Sequence, residues 1–397
     1  MEKYNSPNYM NKTDLLYRLK PGEELEVKWN ELLEYRKQEA VELPLIDQKG
    51  KNIFVVLSKE LKERIALIDD LAKKNIFEEL DEEVKRNVVI EAQTDEAFYS
   101  SVIEGAHTTK KRTKQMIENE VKPKNKDEKM VFNNYQALFY ILGNIGKAIS
   151  EEVLLKIYNI VTNETLDKDE IVAKYRLDQN EVRNLEAVIY VPPEAEKVQE
   201  MMDSLFEFMS KDDDERIHPI LKAVIFHYYF VYVHPFYDGN GRTARALTYM
   251  YLLQNGYDFF KYFSISNIIS EARGSYYKAI KNSEDYESDV TYFALFYTKM
   301  ILDSIKKVTG DFKKQYLKKV IYSEIEHRGL SINDRQEKLI DKVIKFDKSF
   351  IDTAFYIKLN KVSQETARKD LNDLVEMEIF SKKKVGRKFH YIMKNNQ

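Results

Sequence analysis

Cysteine is absent from this chain of 397 residues, so neither a disulfide framework nor a thiolate-bound zinc is open to it. Glycine and proline are scarce, at 12 and 8, which leaves few points where a helical pattern must stop. Charge of one sign is lacking as well: 63 Lys and Arg stand against 66 Asp and Glu, a formal net of -3. No whole-molecule field therefore draws the chain to nucleic acid or to an acidic lipid surface. No run approaches the ~18 apolar residues of a membrane span, and the opening MEKYNSPNYMNKTD has no apolar export segment. The expected location is cytoplasmic, with no membrane partner. The six histidines show neither H-x-x-x-H nor H-E-x-x-H spacing, which removes the usual zinc-enzyme signature.

What is present is helical periodicity. Hydrophobic residues make up 43%, enough for a packed core, and the length suits two to three domains. The reading is mostly α. LEVKWNELLEYRKQEA is amphipathic and is followed by a Pro and Gly interruption in LPLIDQKGKN, which predicts an arm and a turn, with Trp29 anchoring the arm by burial. Apolar residues three and four apart predict helices in Leu57 to Ile90 and again in Glu91 to Ile117. Val188 to Val191 is a short β-prone run closed by Pro192 and Pro193, with Asn180 and Asn184 suited to turns upstream, and predicts a small hairpin within the helical body.

Two strongly apolar helical stretches, HPILKAVIFHYYFVYV and RTARALTYMYLLQNG, are joined by the polar turn HPFYDGNG. Gly239, Asn240 and Gly241 leave room for backbone N–H groups to approach an anion at the start of the second helix, as a phosphate requires. Arg242 and Arg245, three apart, are expected to face one side and clamp successive phosphates. Asp238 offers a hard oxygen for Mg²⁺ shared with those phosphates. His234, four residues earlier, can accept a proton from a hydroxyl at neutral pH. Plainer readings serve elsewhere. His227, within an apolar helix, reads as a hydrogen-bonded core residue, His218 before Pro219 as a helix cap, and Tyr228, Tyr229, Phe230 and Tyr232 as core filler. Asp212 to Asp214 have no second ligand cluster nearby in sequence.

HPFYDGNGRTAR, His234 to Arg245, resembles the Fic motif H-x-F-x-D/E-G-N-G-R-x-x-R at every specified position. AKYR and AVIYVPP look like the family's strand pair that docks a target segment, and ISEARGSYYKAIKN like the stretch that closes over adenine. The resemblance implies a protein adenylyltransferase that moves AMP from ATP, with Mg²⁺ or Mn²⁺, to a Tyr, Ser or Thr hydroxyl of a target protein. It implies His234 as general base, Asp238 on the metal, and Gly239 to Gly241 on the α and β phosphates. Arg242 would hold the leaving pyrophosphate, Arg245 the γ-phosphate, and Phe236 would pack inward. Tyr276, Tyr277 and Asn282 would line the nucleobase pocket. SSVIEG, with Ser100 and Glu104 four apart, resembles the family's inhibitory motif; there Glu104 would pair with Arg245, or also activate water to remove AMP. A homodimer is the commoner family state.

From Lys358 to Gln397, ten Lys or Arg stand against five Asp or Glu. The order helix, turn, helix SQETARKDLNDLVEME and basic hairpin FSKKKVGRKFHYIM resembles a winged helix-turn-helix, with Arg368, Lys369, Lys382 to Lys384, Arg387 and Lys388 placed as phosphate contacts to DNA would be. The same module could equally serve docking or dimerisation. The expected architecture is an N-terminal arm and helical region over 1–85, a Fic-type helical core with a hairpin flap over 86–310, its inhibitory helix near 95–118, and a winged-helix domain over 311–397. Two rival functions remain open: a DNA-binding regulator that uses the Fic region as a nucleotide sensor, and a Fic enzyme with another phosphate-containing donor.

Overall fold

The computed structural model describes residues 9–74, 77, 80–183, 188–211, 215–386 and 388–394. The chain divides into two compact units, Met1–Ile305 and Lys306–Gln397. Both are mostly helical, and each sheet is a two-stranded antiparallel hairpin.

The first unit opens with α1 (Lys12–Leu16) and α2 (Leu25–Lys37). Met10, Leu15, Trp29 and Leu32 form a small core of their own, which is how Trp29 anchors the arm. The stretch expected to be only an interruption is instead a hairpin, β1 (Ala40–Ile46) with β2 (Asn52–Val56). Its signal was the period-two pattern: Val41, Leu43 and Leu45 point inward while Pro44 sits on the exposed side, where its missing N–H costs little. Asp47 closes the turn by accepting the N–H groups of Lys49 and Lys51, at 2.8 and 2.9 Å.

After α3 (Lys59–Lys73), α4 (Glu82–Ile103) runs 22 residues without the break expected at Ile90. It stops at Glu104, and Gly105 with φ +93° turns the chain away. α5 (Lys110–Glu118), α6 (Lys126–Gly143) and α7 (Glu151–Val161) follow, started by Thr109, Asn125 and Ser150, whose side chains each accept an orphan N–H. A short flap pairs β3 (Val182–Arg183) with β4 (Val188–Tyr190). α8 (Ala195–Ser210) leads to the central pair, α9 (Pro219–Val233) and α10 (Asn240–Gln254). Both are buried almost all round; α9 is apolar on nearly every face, whereas α10 also buries the polar Asn240, Arg242, Thr243, Arg245 and Thr248. α4 packs on α6, α10 and α11 (Ile265–Glu271), and α7 packs on α10, which carries the turn before α10 to the ends of α4 and α7. α12 (Arg273–Asp285) and α13 (Thr291–His327) complete the unit, the boundary between units falling within α13.

In the second unit α14 (Asp334–Lys345), α15 (Thr353–Asn360) and α16 (Gln364–Glu376) precede the hairpin β5 (Phe380–Val385) with β6 (Lys388–Met393). α15 lies in the stretch read from the sequence as the turn before SQETARKDLNDLVEME. Leu339, Ile340, Tyr356, Leu371, Leu374, Phe380 and Tyr391 make its core. Among the described residues no helix is long and apolar enough to cross a membrane.

Candidate functional site

The turn between α9 and α10 is held open by side chains that point away from it. His234 ends α9 in the left-handed region, φ 51° and ψ 59°, a conformation that costs a non-glycine residue about 1–2 kcal/mol. Asn240 faces inward, accepting from the Phe236 N–H at 3.0 Å and donating to the Phe236 carbonyl at 2.7 Å, which ties the loop across its base. Phe236 is fully buried and stacks on Tyr158, ring centres 3.6 Å apart at 7°. Gly239 has φ +85°, and a Cβ there would lie 2.6 Å from the Thr162 methyl, so conformation and contact both require glycine.

Gly241 opens the other side. A Cβ on it would stand 2.1 Å from Oε1 of Glu104, so that carboxylate rests directly against the backbone at the first turn of α10. Unpaired N–H groups and the positive end of the helix dipole make such a position favourable for an anion. The same Oε1 accepts from Nη2 of Arg245 at 2.8 Å, while Ser100 accepts from Nε through its hydroxyl at 2.7 Å and from Nη2 through its carbonyl at 2.8 Å. Burial opposes the charge on Arg245, but Glu104 together with Tyr276 and Tyr277 more than offsets it and raises its pKa.

The imidazole of His234 places Nδ1 3.3 Å from the Val231 carbonyl. A carbonyl only accepts, so a neutral ring carries its proton on Nδ1 and leaves Nε2 with a lone pair. Burial pushes this histidine down to about 4, against the opposite pull of the Val231 carbonyl and Glu104. At neutral pH it is therefore a neutral base. Its main chain is held by a residue outside the motif. Arg176, 1% exposed, donates from Nε to the His234 carbonyl at 2.9 Å and from Nη1 to the Asp178 carbonyl at 3.1 Å, and its own N–H reaches the Pro235 carbonyl at 2.9 Å.

Asp238 accepts from the Gly239 N–H at 2.6 Å and from Nη2 of Arg242 at 3.1 Å. Among the described residues no group of three or more acidic or histidine side chains is gathered for a metal. A lone, one-third exposed carboxylate beside an anion cradle still suits Mg²⁺, which is commonly held by one or two carboxylates plus substrate phosphates.

Residues 148–252 match the Fic/DOC family. This chain carries a Fic domain. The chain is 28% identical over 178 residues to the protein adenylyltransferase Fic of Nematostella vectensis, covering 43% of this chain and 40% of that protein. The namesake protein of Drosophila mojavensis is 26% identical over 232 residues, covering 57% of this chain and 43% of that one. The chain thus spans less than half the length of the curated relatives it matches. A solved Fic family protein from Desulfovibrio desulfuricans aligns with a TM-score of 0.55 over 86% of this chain and 98% of its own, at 18% identity. Fic-1 of C. elegans aligns at 0.52 over 64% of this chain and 73% of that one, at 22% identity. At those identities the likeness is one of fold.

Of the expected site residues, Arg245 has the partner foreseen for it, Glu104, while the two-arginine clamp and the placements of Tyr276 and Asn282 differ from expectation. Arg242 and Arg245 do not converge: Arg242 is fully buried and bonds Asp238 and the Val161 carbonyl, while Arg245 turns to α4. Tyr276 lies in the core, 2% exposed, with its hydroxyl 2.9 Å from Nε2 of His227. His227, buried and bonded also to Thr248 at 3.2 Å, is the core histidine expected, and His218 caps α9 at the Ile220 N–H. Tyr277 does reach the site, its hydroxyl donating to the Ile103 carbonyl at 3.4 Å. Asn282 does not; it accepts from Asn11 at 3.2 Å and lines a cavity with Tyr9, Arg18 and Lys278. At about 100° per residue, positions 277 and 282 lie about 140° apart, so the two face different sides of α12. The residue that shares the face of Tyr277, seven positions on, is Glu284, whose buried Oε1 lacks a partner among the described residues and whose carboxyl burial pushes up to about 8. Only the i,i+7 spacing could have pointed to it. Asn184, Asp212 to Asp214 and Arg387 lie outside the described residues.

Proposed function

We propose that this chain is a protein adenylyltransferase, transferring AMP from ATP to a Tyr, Ser or Thr hydroxyl of a target protein. The observation that carries the reading is the carboxylate of Glu104 seated between the Gly241 backbone and Arg245. A position that holds one anion on a helix start and a buried guanidinium is built to hold a phosphate. Nε2 of His234 takes the proton as the hydroxyl oxygen bonds to the α-phosphorus, and the α–β anhydride bond breaks to release pyrophosphate. Backbone N–H groups at Gly239 to Gly241 and the Arg245 guanidinium carry the phosphate charge. Asp238 would hold Mg²⁺ or Mn²⁺, which when bound neutralises charge on the phosphates. Arg242 keeps Asp238 oriented and reaches the leaving group only if it gives up that partner.

In the state described, Glu104 competes with the γ-phosphate for Arg245, so the enzyme is self-inhibited. Mass spectrometry after incubation with ATP and Mg²⁺ tests both claims. The Glu104→Gly chain should gain AMP by self-modification, the parent little, and the Glu104→Gly, His234→Ala chain none. A gain that survives loss of His234 removes the base from the scheme.

A second role attaches to the unit Lys306–Gln397, which we read as a winged helix-turn-helix that contacts DNA. Arg368, Lys369, Lys383 and Lys384 are exposed on α16 and β5 without an acidic partner among the described residues. Anisotropy of labelled duplex DNA should then fall steeply with salt, as counterion release requires; flat, weak binding would favour a docking surface instead.

A further inference from the structure

We propose that Arg176 is a positioning residue for the base His234, fastening it to the flap through backbone carbonyls; the inference rests on the adenylyl-transfer reading for its activity test alone. Helices leave their last carbonyls unpaired, and a glycine just past the end usually helps to close them. α9 ends instead on a histidine held at positive φ. Arg176 supplies the missing donors. Its Nε and Nη2 reach the carbonyls of His234 and Val233, at 2.9 and 3.4 Å, so the guanidinium caps the end of α9.

The remaining donors go the other way. Nη1 bonds the Asp178 carbonyl at 3.1 Å and Nη2 the Pro193 carbonyl, which bracket the flap strands on either side. Tyr237, inside the motif, accepts the Leu177 and Asp178 N–H groups at 3.2 Å each and reinforces the same link. Every acceptor on the guanidinium is a main-chain oxygen, and among the described residues no carboxylate pairs with it. A buried cation left without a counter-ion is costly, and partial charges of carbonyls compensate it only in the geometry seen. A lysine could keep the charge but not the planar fork, which has five donors where an ammonium has three on a single point.

Three measurements on the full chain test this. In wild-type protein the Nε–H of Arg176 should exchange with solvent at least about a hundredfold more slowly than exposed arginines; exchange at the exposed rate overturns the proposal. Nitrogen NMR of labelled histidine, assigned with His234→Asn, should show His234 in one Nδ1–H tautomer, and in Arg176→Lys a mixture; an unchanged single tautomer overturns it. In a Glu104→Gly background, Arg176→Lys should lower the maximal rate of AMP self-incorporation about tenfold to a hundredfold, as small misplacements of reacting groups do, with half-saturating ATP changed less than about threefold. A rate within twofold of the parent, or ATP affinity and thermal midpoint falling together with the rate, sinks it. If the Glu104→Gly parent itself incorporates no AMP, adenylyl transfer fails while exchange and tautomer still decide the role of Arg176.

Discussion

Two arginine–carboxylate pairs in this protein look alike on paper and differ in which partner is buried. In the pair Arg245–Glu104, joined at 2.8 Å, the cation is 2% exposed and the acid 25%. In the pair Arg335–Asp370, joined at 2.7 Å, the order is reversed, with the cation 41% exposed and the acid 4%. Asp370 also accepts from Tyr356 at 2.8 Å and Asn333 at 3.2 Å, so the second unit is organised around it. A buried acid with several donors cannot be exchanged for anything from solution. A buried cation whose acid stands at the rim can, because another anion takes the place at the rim without uncovering the cation. The first pair has the form of a gate and the second of a fastening.

The largest effect should come from breaking the fastening. Asp370→Ala leaves Tyr356 and Asn333 without their acceptor and should cost the second unit about 3–5 kcal/mol, read as a lowered melting transition, with AMP incorporation by the first unit unchanged. Opening the gate should do the opposite. Glu104→Gly removes a charge-assisted bond of about 1.5–3 kcal/mol, so the apparent affinity for ATP should rise roughly tenfold to a hundredfold, with a melting loss smaller than that of Asp370→Ala. Comparable melting losses in both variants would erase the distinction.

Next in size is a pH effect. The folded value of His234, about 4, lies below the ~6.5 of a free imidazole, so the unfolded chain binds more protons between those values. Stability should therefore fall as pH drops from about 6.5 to about 4, and AMP incorporation should stay level down to about pH 5. Because Glu104 pulls the value upward, the Glu104→Gly chain should keep activity to at least as low a pH. Half-loss near 6.5 would show a solvated histidine and a loosened turn. The smallest effect is expected at Asn282. Asn282→Ala should cost about 0.5–1.5 kcal/mol through its bond to Asn11 and leave half-saturating ATP within about twofold; a tenfold rise would return Asn282 to the nucleotide pocket.

Much of the fold was legible because helices report themselves locally. The apolar helices on either side of HPFYDGNG, the turn itself and the core roles of His227 and Trp29 follow from residues close in sequence. The β1–β2 hairpin was missed where a proline on the exposed side hid a period-two pattern. α15 was missed because eight residues are too few for a clear stripe. Two of the adenine-side assignments strayed for a rotational reason: Tyr276 and Asn282 share a helix with Tyr277 but not its face.

Consecutive residues already specify the chemistry of the turn, since an imidazole, a carboxylate, two glycines and two arginines within twelve positions keep their functional groups however the rest packs. They do not specify which cation stays available. Arg242 and Arg245 are equivalent along the helix, and only the packing of α7 and α4 around α10 gives one to Asp238 and the Val161 carbonyl and the other to Ser100 and Glu104. Arg176 is likewise invisible in sequence as a cap, because the carbonyls it closes lie nearly sixty residues away and meet it only in three dimensions.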